Sequence, residues 1–129
     1  MTTVLFACVH NAGRSQIAAA LFNRHADPAK ARAISAGTQP ANQVHPEVVA
    51  LMREMGIDLS GQRPQKLTDT LAAQAQWLIT MGCGAECPVV PGARRNDWAI
   101  PDPKGQPPAI VRGIVDDIVA TYGQIIVDE

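Results

Sequence analysis

The residues with the clearest chemical potential lie near the start of the 129-residue chain, in the run Cys8-Val9-His10-Asn11-Ala12-Gly13-Arg14-Ser15. Five residues separate a thiol from a guanidinium. The small residues Ala12 and Gly13 let the backbone curl so that its amides point inward. A helix beginning near Arg14 or Ser15 would add its N-terminus, completing a nest for a tetrahedral dianion. Arg14 could grip two oxygens of that anion through its planar fork. The same positive field favours a thiolate, so the loop would hold an oxyanion and a nucleophile together at Cys8. A bare Cys, five residues, Arg pattern is weak. Its competing reading is a small buried hydrophobe at Cys8 and a surface charge at Arg14. The apolar run Val4 to Ala7 before it, the helical pattern after it and Ser15 beside Arg14 favour the anion loop.

Two other places carry chemistry. Cys83-Gly84-Ala85-Glu86-Cys87-Pro88 sets two thiols four residues apart. On a helix they would share a face; in a loop the glycines would let the segment move. Zinc is a poor match, because two thiols without well-placed partners do not make a tetrahedral set, and His10, His25 and His45 do not cluster in sequence. Inert packing cysteines are a second reading, and a redox relay fits best. Asp102 stands between two prolines and before Lys104-Gly105, which by residue type alone reads as a plain turn.

These positions need a scaffold. Val4 to Ala7 is a short apolar run suited to a strand buried on both faces. Ser15 to Ala26 reads as a helix with Ile17, Ala18, Leu21 and Phe22 on one face, stopped by Asp27-Pro28. Ala31 to Ala36 is a second strand ended by Gly37. Pro46 opens a helix through Val48, Val49, Leu51, Met52 and Met55, which Gly56 closes. Thr68 caps a short helix through Gln74, and Trp77 to Met81 is a third strand. Trp98-Ala99-Ile100 reads as a short fourth strand, with Trp98 packing near the Asp102 segment. From Pro107, apolar residues Ile110, Val111, Ile114, Val115, Ile118, Val119 and Tyr122 recur at helical spacing. Strands alternating with helices predict an α/β fold, three layers with a four-stranded parallel sheet between helices. Ligands of such sheets sit at the C-terminal strand ends. Cys8, Cys83 and Asp102 follow strands one, three and four, so all three fall on that edge.

Bulk properties narrow the field. The length and 47% apolar content suit one domain over residues 1–129 with a packed core. A net charge of -1, with only Arg94-Arg95 as a tight basic pair, gives no nucleic-acid footprint. No apolar stretch is long enough to span a bilayer. Residues Met1 to Ala7 lack a basic leader and read as a strand, so a cytoplasmic location is the default. Three cysteines cannot all pair within one chain, and in a reducing compartment they are more often reactive than structural.

The segment Val4 to Gln16 resembles the arsenate reductases built on the low-molecular-weight tyrosine phosphatase fold. Ile34-Ser35-Ala36-Gly37, Ile79-Thr80-Met81-Gly82-Cys83 and Trp98-Ala99-Ile100-Pro101-Asp102-Pro103 match in family order, and the resemblance spans nearly the whole chain. It implies that Cys8 attacks arsenate, that residues Val9, His10, Asn11, Ala12, Gly13, Arg14 and Ser15 bind the oxyanion, and that Asp102 donates a proton to the leaving oxygen. It implies further that Asn11 holds the loop's curl and that Ser15 hydrogen-bonds Cys8. Cys83 then attacks the Cys8 sulfur, Cys87 moves the disulfide outward to Cys83–Cys87, and thioredoxin reduces it.

The match is not complete. Thioredoxin-coupled members usually place six residues between the second and third cysteines, and this chain has three. They also often carry a Cys where this chain has Gly13. The sequence around Val9 to Gly13 and Met81 to Gly84 is more similar to actinobacterial-type members, some of which join the arsenic adduct to mycothiol, use a mycoredoxin and need only the first cysteine, as arsenate-mycothiol transferases. Potassium-binding members place a Glu where this chain has Ala19, so no bound potassium, other metal or cofactor is expected. The nearest rival is a low-molecular-weight tyrosine phosphatase. Such phosphatases usually set tyrosines beside the catalytic Asp, whereas Tyr122 is the one tyrosine here, and usually carry Pro at the position of Gln16. An oxyanion sensor without catalysis is a further reading. By residue type alone, His10 shapes the loop or is simply exposed, and Met52 and Met55 are core filler.

Overall fold

The computed structural model describes residues 2–25, 29, 31–81, 94–97, 109, 112 and 113. Strand β1 (Thr2–Cys8) leads through the Cys8 loop into helix α1 (Arg14–His25). Strand β2 (Ala31–Gly37), helices α2 (Pro46–Glu54) and α3 (Asp69–Ala72), and strands β3 (Trp77–Thr80) and β4 (Arg94–Asp97) follow. All pairings are parallel, in the order β2-β1-β3-β4. β1 is therefore a central strand, flanked by β2 through pairs from Thr2↔Ala31 to Cys8↔Gly37 and by β3 from Val4↔Trp77 to Ala7↔Thr80.

Alternation along β1 divides the interior. Val4, Phe6 and Cys8 point to one face, where they join Ile17, Phe22, Val48 and Met52 of α1 and α2. Leu5 and Ala7 point to the other, with Leu67, Ala72 and Leu78 beside α3. A period of two on a strand covered from both sides produces the uninterrupted apolar run. The rings of Phe6 and Phe22 meet edge to face at 6.1 Å and lock α1 onto the sheet. The result is the expected three-layer arrangement.

Local chemistry sets the element ends. Pro46 occupies the first turn of α2, where its missing N–H costs nothing. At the other end Gly56 has φ 82, the Gly56 N–H bonds Arg53 O and the Ile57 N–H bonds Met52 O. That pair is a Schellman closure. The Thr68 hydroxyl accepts from the Leu71 N–H at 3.1 Å and starts α3.

The expected strand Trp98-Ala99-Ile100 lies outside the described residues. The fourth described strand of the sheet is Arg94–Asp97. Its Arg-Arg-Asn-Asp composition carries no strand signal, and backbone pairing with β3 decides the matter. In the helix expected from Pro107, Ala109, Arg112 and Gly113 are helical and exposed. They occupy the positions that the apolar spacing leaves facing water. No helix among the described residues is long and apolar enough to cross a membrane.

Candidate active site

The Cys8 loop joins the C-terminal end of β1 to α1, and a count of its backbone bonds shows how it is shaped. Cys8 O accepts from the Thr38 N–H, Val9 O from Gln39, His10 O from Ala41 and Ala12 O from His45, at 2.8 to 3.2 Å. Asn11 O accepts from Gln16 Nε2 at 3.1 Å, and Gly13 O accepts the helical bond from Ile17. All six carbonyls from Cys8 to Gly13 are thus held by donors outside the loop. In a trans peptide the N–H lies opposite the C=O. The amides of Val9 to Arg14 are therefore turned to the concave side, and the Asn11 N–H reaches Cys8 Sγ at 3.2 Å.

Asn11 makes the sharpest bend. Its φ of 50 lies in the left-handed region, which Asn tolerates better than most residues. Behind it stands Gly37 at the end of β2. A Cβ on Gly37 would lie 2.6 Å from Val9 O and 2.9 Å from Asn11 N, so only glycine lets β2 come this close.

The side chains form a directed network around the buried Cys8 thiol. Cys8 Sγ is 2.9 Å from Ser15 Oγ, and Asn11 Nδ2 donates to Ser15 Oγ at 2.7 Å. The orientation of Asn11 is fixed by a backbone group, because the Gln65 N–H donates to Asn11 Oδ1 at 2.9 Å. Ser15 Oγ therefore accepts from Asn11, and its own hydroxyl proton is available to a sulfur that has lost its proton. Cys8 Sγ thus has two hydrogen-bond partners, the Asn11 N–H and the Ser15 hydroxyl. Among the described residues no buried side-chain nitrogen or oxygen lacks a partner.

Arg14 is half-buried at the first position of α1, directly after the loop. His10 is exposed, and its Nδ1 donates to Gln39 O at 3.1 Å, which ties the 38–45 segment to the loop rim. β3 delivers the chain to the same edge, since Thr80 pairs with Ala7 and the Met81 N–H bonds Ala7 O at 2.7 Å. Cys83 comes two residues later in the chain. Cys83, Cys87 and Asp102 lie outside the described residues. Among the described residues no group of three or more His, Cys, Asp or Glu could hold a metal ion.

A cleft of about 350 Å³ lies behind the loop, between α1, β2 and the 57–65 segment. Gln16, Asn23, Ser35, Arg63 and Gln65 line it, and Cys8 does not. On its rim Asp58 is held below the ordinary carboxylate range by bonds from the Ser60 side chain and backbone, with help from Arg53. Sequence reasoning missed Gln65, and gave Gln16 no role beyond its place in the family match and its departure from the phosphatases' proline. Their roles depend on contacts 54 and 5 residues away from their partners, which no local pattern shows.

A parallel sheet with a buried thiol in an inward-amide loop after its first strand is the frame of the low molecular weight phosphotyrosine protein phosphatases. That family's model matches residues 3–127, and the chain belongs to the family. A Halobacterium salinarum protein that bears the provisional name arsenate reductase is 38% identical, covering 88% of this chain and 82% of its own. A glutaredoxin arsenate reductase of a Synechocystis species is 33% identical, covering 88% of each chain. Among solved structures, the Corynebacterium glutamicum thioredoxin-dependent arsenate reductase superposes with a TM-score of 0.81 at 37% identity. It matches all of this chain, which spans 64% of that longer protein.

Proposed function

We propose that this chain reduces arsenate to arsenite, with Cys8 as nucleophile and Arg14 with the loop amides as the oxyanion site. The observation that carries this reading is the loop itself, with six carbonyls turned out, two hydrogen-bond partners on Cys8 Sγ and an arginine at its exit. The names of the relatives supply the choice of arsenic over phosphorus.

Cys8 Sγ attacks arsenic, forming an S–As bond, and a hydroxyl leaves as water after taking a proton from Asp102. The Cys83 thiolate attacks Cys8 Sγ. An S–S bond forms, the S–As bond breaks, and its electron pair stays on arsenic, which departs as arsenite. Cys87 then attacks Cys83, freeing the Cys8 thiolate and leaving a Cys83–Cys87 disulfide. A thioredoxin dithiol reduces that bond. Disulfide formation needs Cα atoms within about 7 Å, so the Cys83 segment must approach Cys8 during turnover.

The test is arsenite formation with thioredoxin, thioredoxin reductase and NADPH. Cys8→Ser abolishes it, and Cys83→Ser or Cys87→Ser stops it after at most one cycle. Sustained turnover of a Cys83→Ser, Cys87→Ser double variant with mycothiol and a glutaredoxin-like partner would replace the relay by a Cys8-only transferase. Rapid hydrolysis of p-nitrophenyl phosphate without arsenate turnover would make the chain a phosphatase.

A further inference from the structure

Gln16 follows the loop on the first turn of α1, and only 4% of it is exposed. Its Nε2 lies 3.1 Å from Asn11 O, 3.2 Å from Asn11 Oδ1 and 3.4 Å from Arg63 O. Three oxygens converge on one amide nitrogen. Two of them are backbone carbonyls, which can only accept, so the nitrogen end of Gln16 must face them. The bond to Asn11 O keeps the Asn11–Ala12 peptide turned outward and thereby turns the Ala12 N–H into the loop. The bond to Asn11 Oδ1 acts with the Gln65 N–H to leave Asn11 Nδ2 facing Ser15. The bond to Arg63 O ties both to the 57–65 segment, on the wall of the cleft.

We propose that Gln16 is a positioning residue. Its carboxamide holds Asn11 in the left-handed bend and so sets the aim of the Ala12 amide and the Ser15 hydroxyl at the oxyanion and at Cys8 Sγ. Its Nε2 is bonded to Asn11 and Arg63 and not to Cys8 Sγ, so it acts through Asn11. The inference rests on the reading of the Cys8 loop as an oxyanion site. It also gives a physical reason for a glutamine here, since a proline has no donor to offer these oxygens.

The probe is inorganic phosphate, a tetrahedral anion that does not consume the enzyme. Its dissociation constant is measured by calorimetry on the full chain at pH 7.5 and pH 5.5. Gln16→Met keeps the length and removes both N–H donors, and its affinity falls about tenfold, the scale of one lost buried hydrogen bond. Gln16→Glu places a carboxylate against three oxygens, and at pH 7.5 its affinity falls further, by about thirtyfold or more. Burial beside carbonyl oxygens raises the introduced carboxyl above its ordinary value of about 4.3. Lowering the pH to 5.5 protonates a larger share of it, and the protonated form regains one donor. Its deficit relative to wild type then shrinks, while that of Gln16→Met does not. A merely structural role would give no such change with pH.

Circular dichroism under the same conditions separates unfolding from loss of aim. Gln16→Met, which adds no charge, is the variant that decides should Gln16→Glu not fold. Phosphate affinity within twofold of wild type for a folded Gln16→Met, or a Gln16→Glu deficit equal at both pH values, overturns the proposal. Should wild type itself bind no phosphate, and phosphate not protect Cys8 from iodoacetamide, the oxyanion reading of the loop falls instead. The two failures are thus distinguishable.

Discussion

Asn11 has to satisfy two demands at once. It adopts φ 50, and it hands a proton-bearing nitrogen to Ser15 at 2.7 Å. The demands separate by substitution. Asn11→Gly meets the first and fails the second, whereas Asn11→Ala fails both. Since a left-handed conformation costs a residue with a Cβ about 1–2 kcal/mol, Asn11→Ala is expected to be less stable than Asn11→Gly by about 1 kcal/mol in urea unfolding. Both should lose the thiol alkylation rate that depends on the Ser15 donor, and to a similar extent. A glycine variant that alkylated like wild type would mean that Ser15 is aimed by something other than Asn11. Gly37 is the complementary case. Its absent side chain is the space that Val9 O and Asn11 N occupy, at 2.6 and 2.9 Å from where a Cβ would stand. Both neighbours are backbone and cannot rotate away. Gly37→Ala is therefore expected to cost about 1–3 kcal/mol, the range for overpacking, and to weaken phosphate binding along with stability. Paired unfolding and calorimetry check it, and a destabilised variant with intact phosphate affinity would show that the loop can shift without losing its aim.

At the scale of elements, the loop is shaped from outside. The 38–45 segment takes four of its carbonyls, and α1 takes the other two. None of this was legible in the sequence. The 38–45 stretch has no periodicity, and its function consists of backbone N–H groups that any residue except proline carries. The same applies to β4, where Arg94–Asp97 forms a strand because β3 offers a free edge, not because its residues prefer one. The strands and helices that carry apolar periodicity were readable, as were ends marked by Pro46, Gly56 and Thr68, because there a single residue's chemistry settles the geometry. Cys8 could be singled out by type and spacing, and Asn11 and Ser15 by the family resemblance; the direction of the bonds between them could not. Gly56 gives the element-scale prediction. It closes α2 at φ 82, and Arg24 Nη1 donates to the adjoining Met55 O at 2.6 Å, fastening α1 to this end of α2. Gly56→Ala is expected to cost about 1 kcal/mol or slightly more through the left-handed position alone. A thermal melt measures the loss, and phosphate affinity at a temperature where the variant is folded should stay at the wild-type value.

For the whole molecule, the sheet order sets where the chain leaves β3 relative to Cys8. β1 lies between β2 and β3, and β3 ends level with β1, Thr80 against Ala7, so the chain enters the Cys83 segment from the edge where Cys8 ends β1. The proposed relay has a stoichiometric consequence. Arsenate reduction takes two electrons, which is one dithiol oxidised to one disulfide. Without thioredoxin, a fully reduced chain with its three thiols should release about one equivalent of arsenite and then stop, with one titratable thiol left. In the wild type that remaining thiol is Cys8, since Cys87 has moved the disulfide away from it. In Cys87→Ser the same single equivalent appears, but the disulfide stays between Cys8 and Cys83, and no thiol remains. In Cys83→Ser no arsenite is released, because nothing attacks the sulfur that carries arsenic. Arsenite quantification, thiol titration and peptide mapping of the disulfide after one cycle give three independent readings. Arsenite released by Cys83→Ser with mycothiol as the only added reductant would place the second electron donor outside the chain and leave the sheet edge with Cys8 alone.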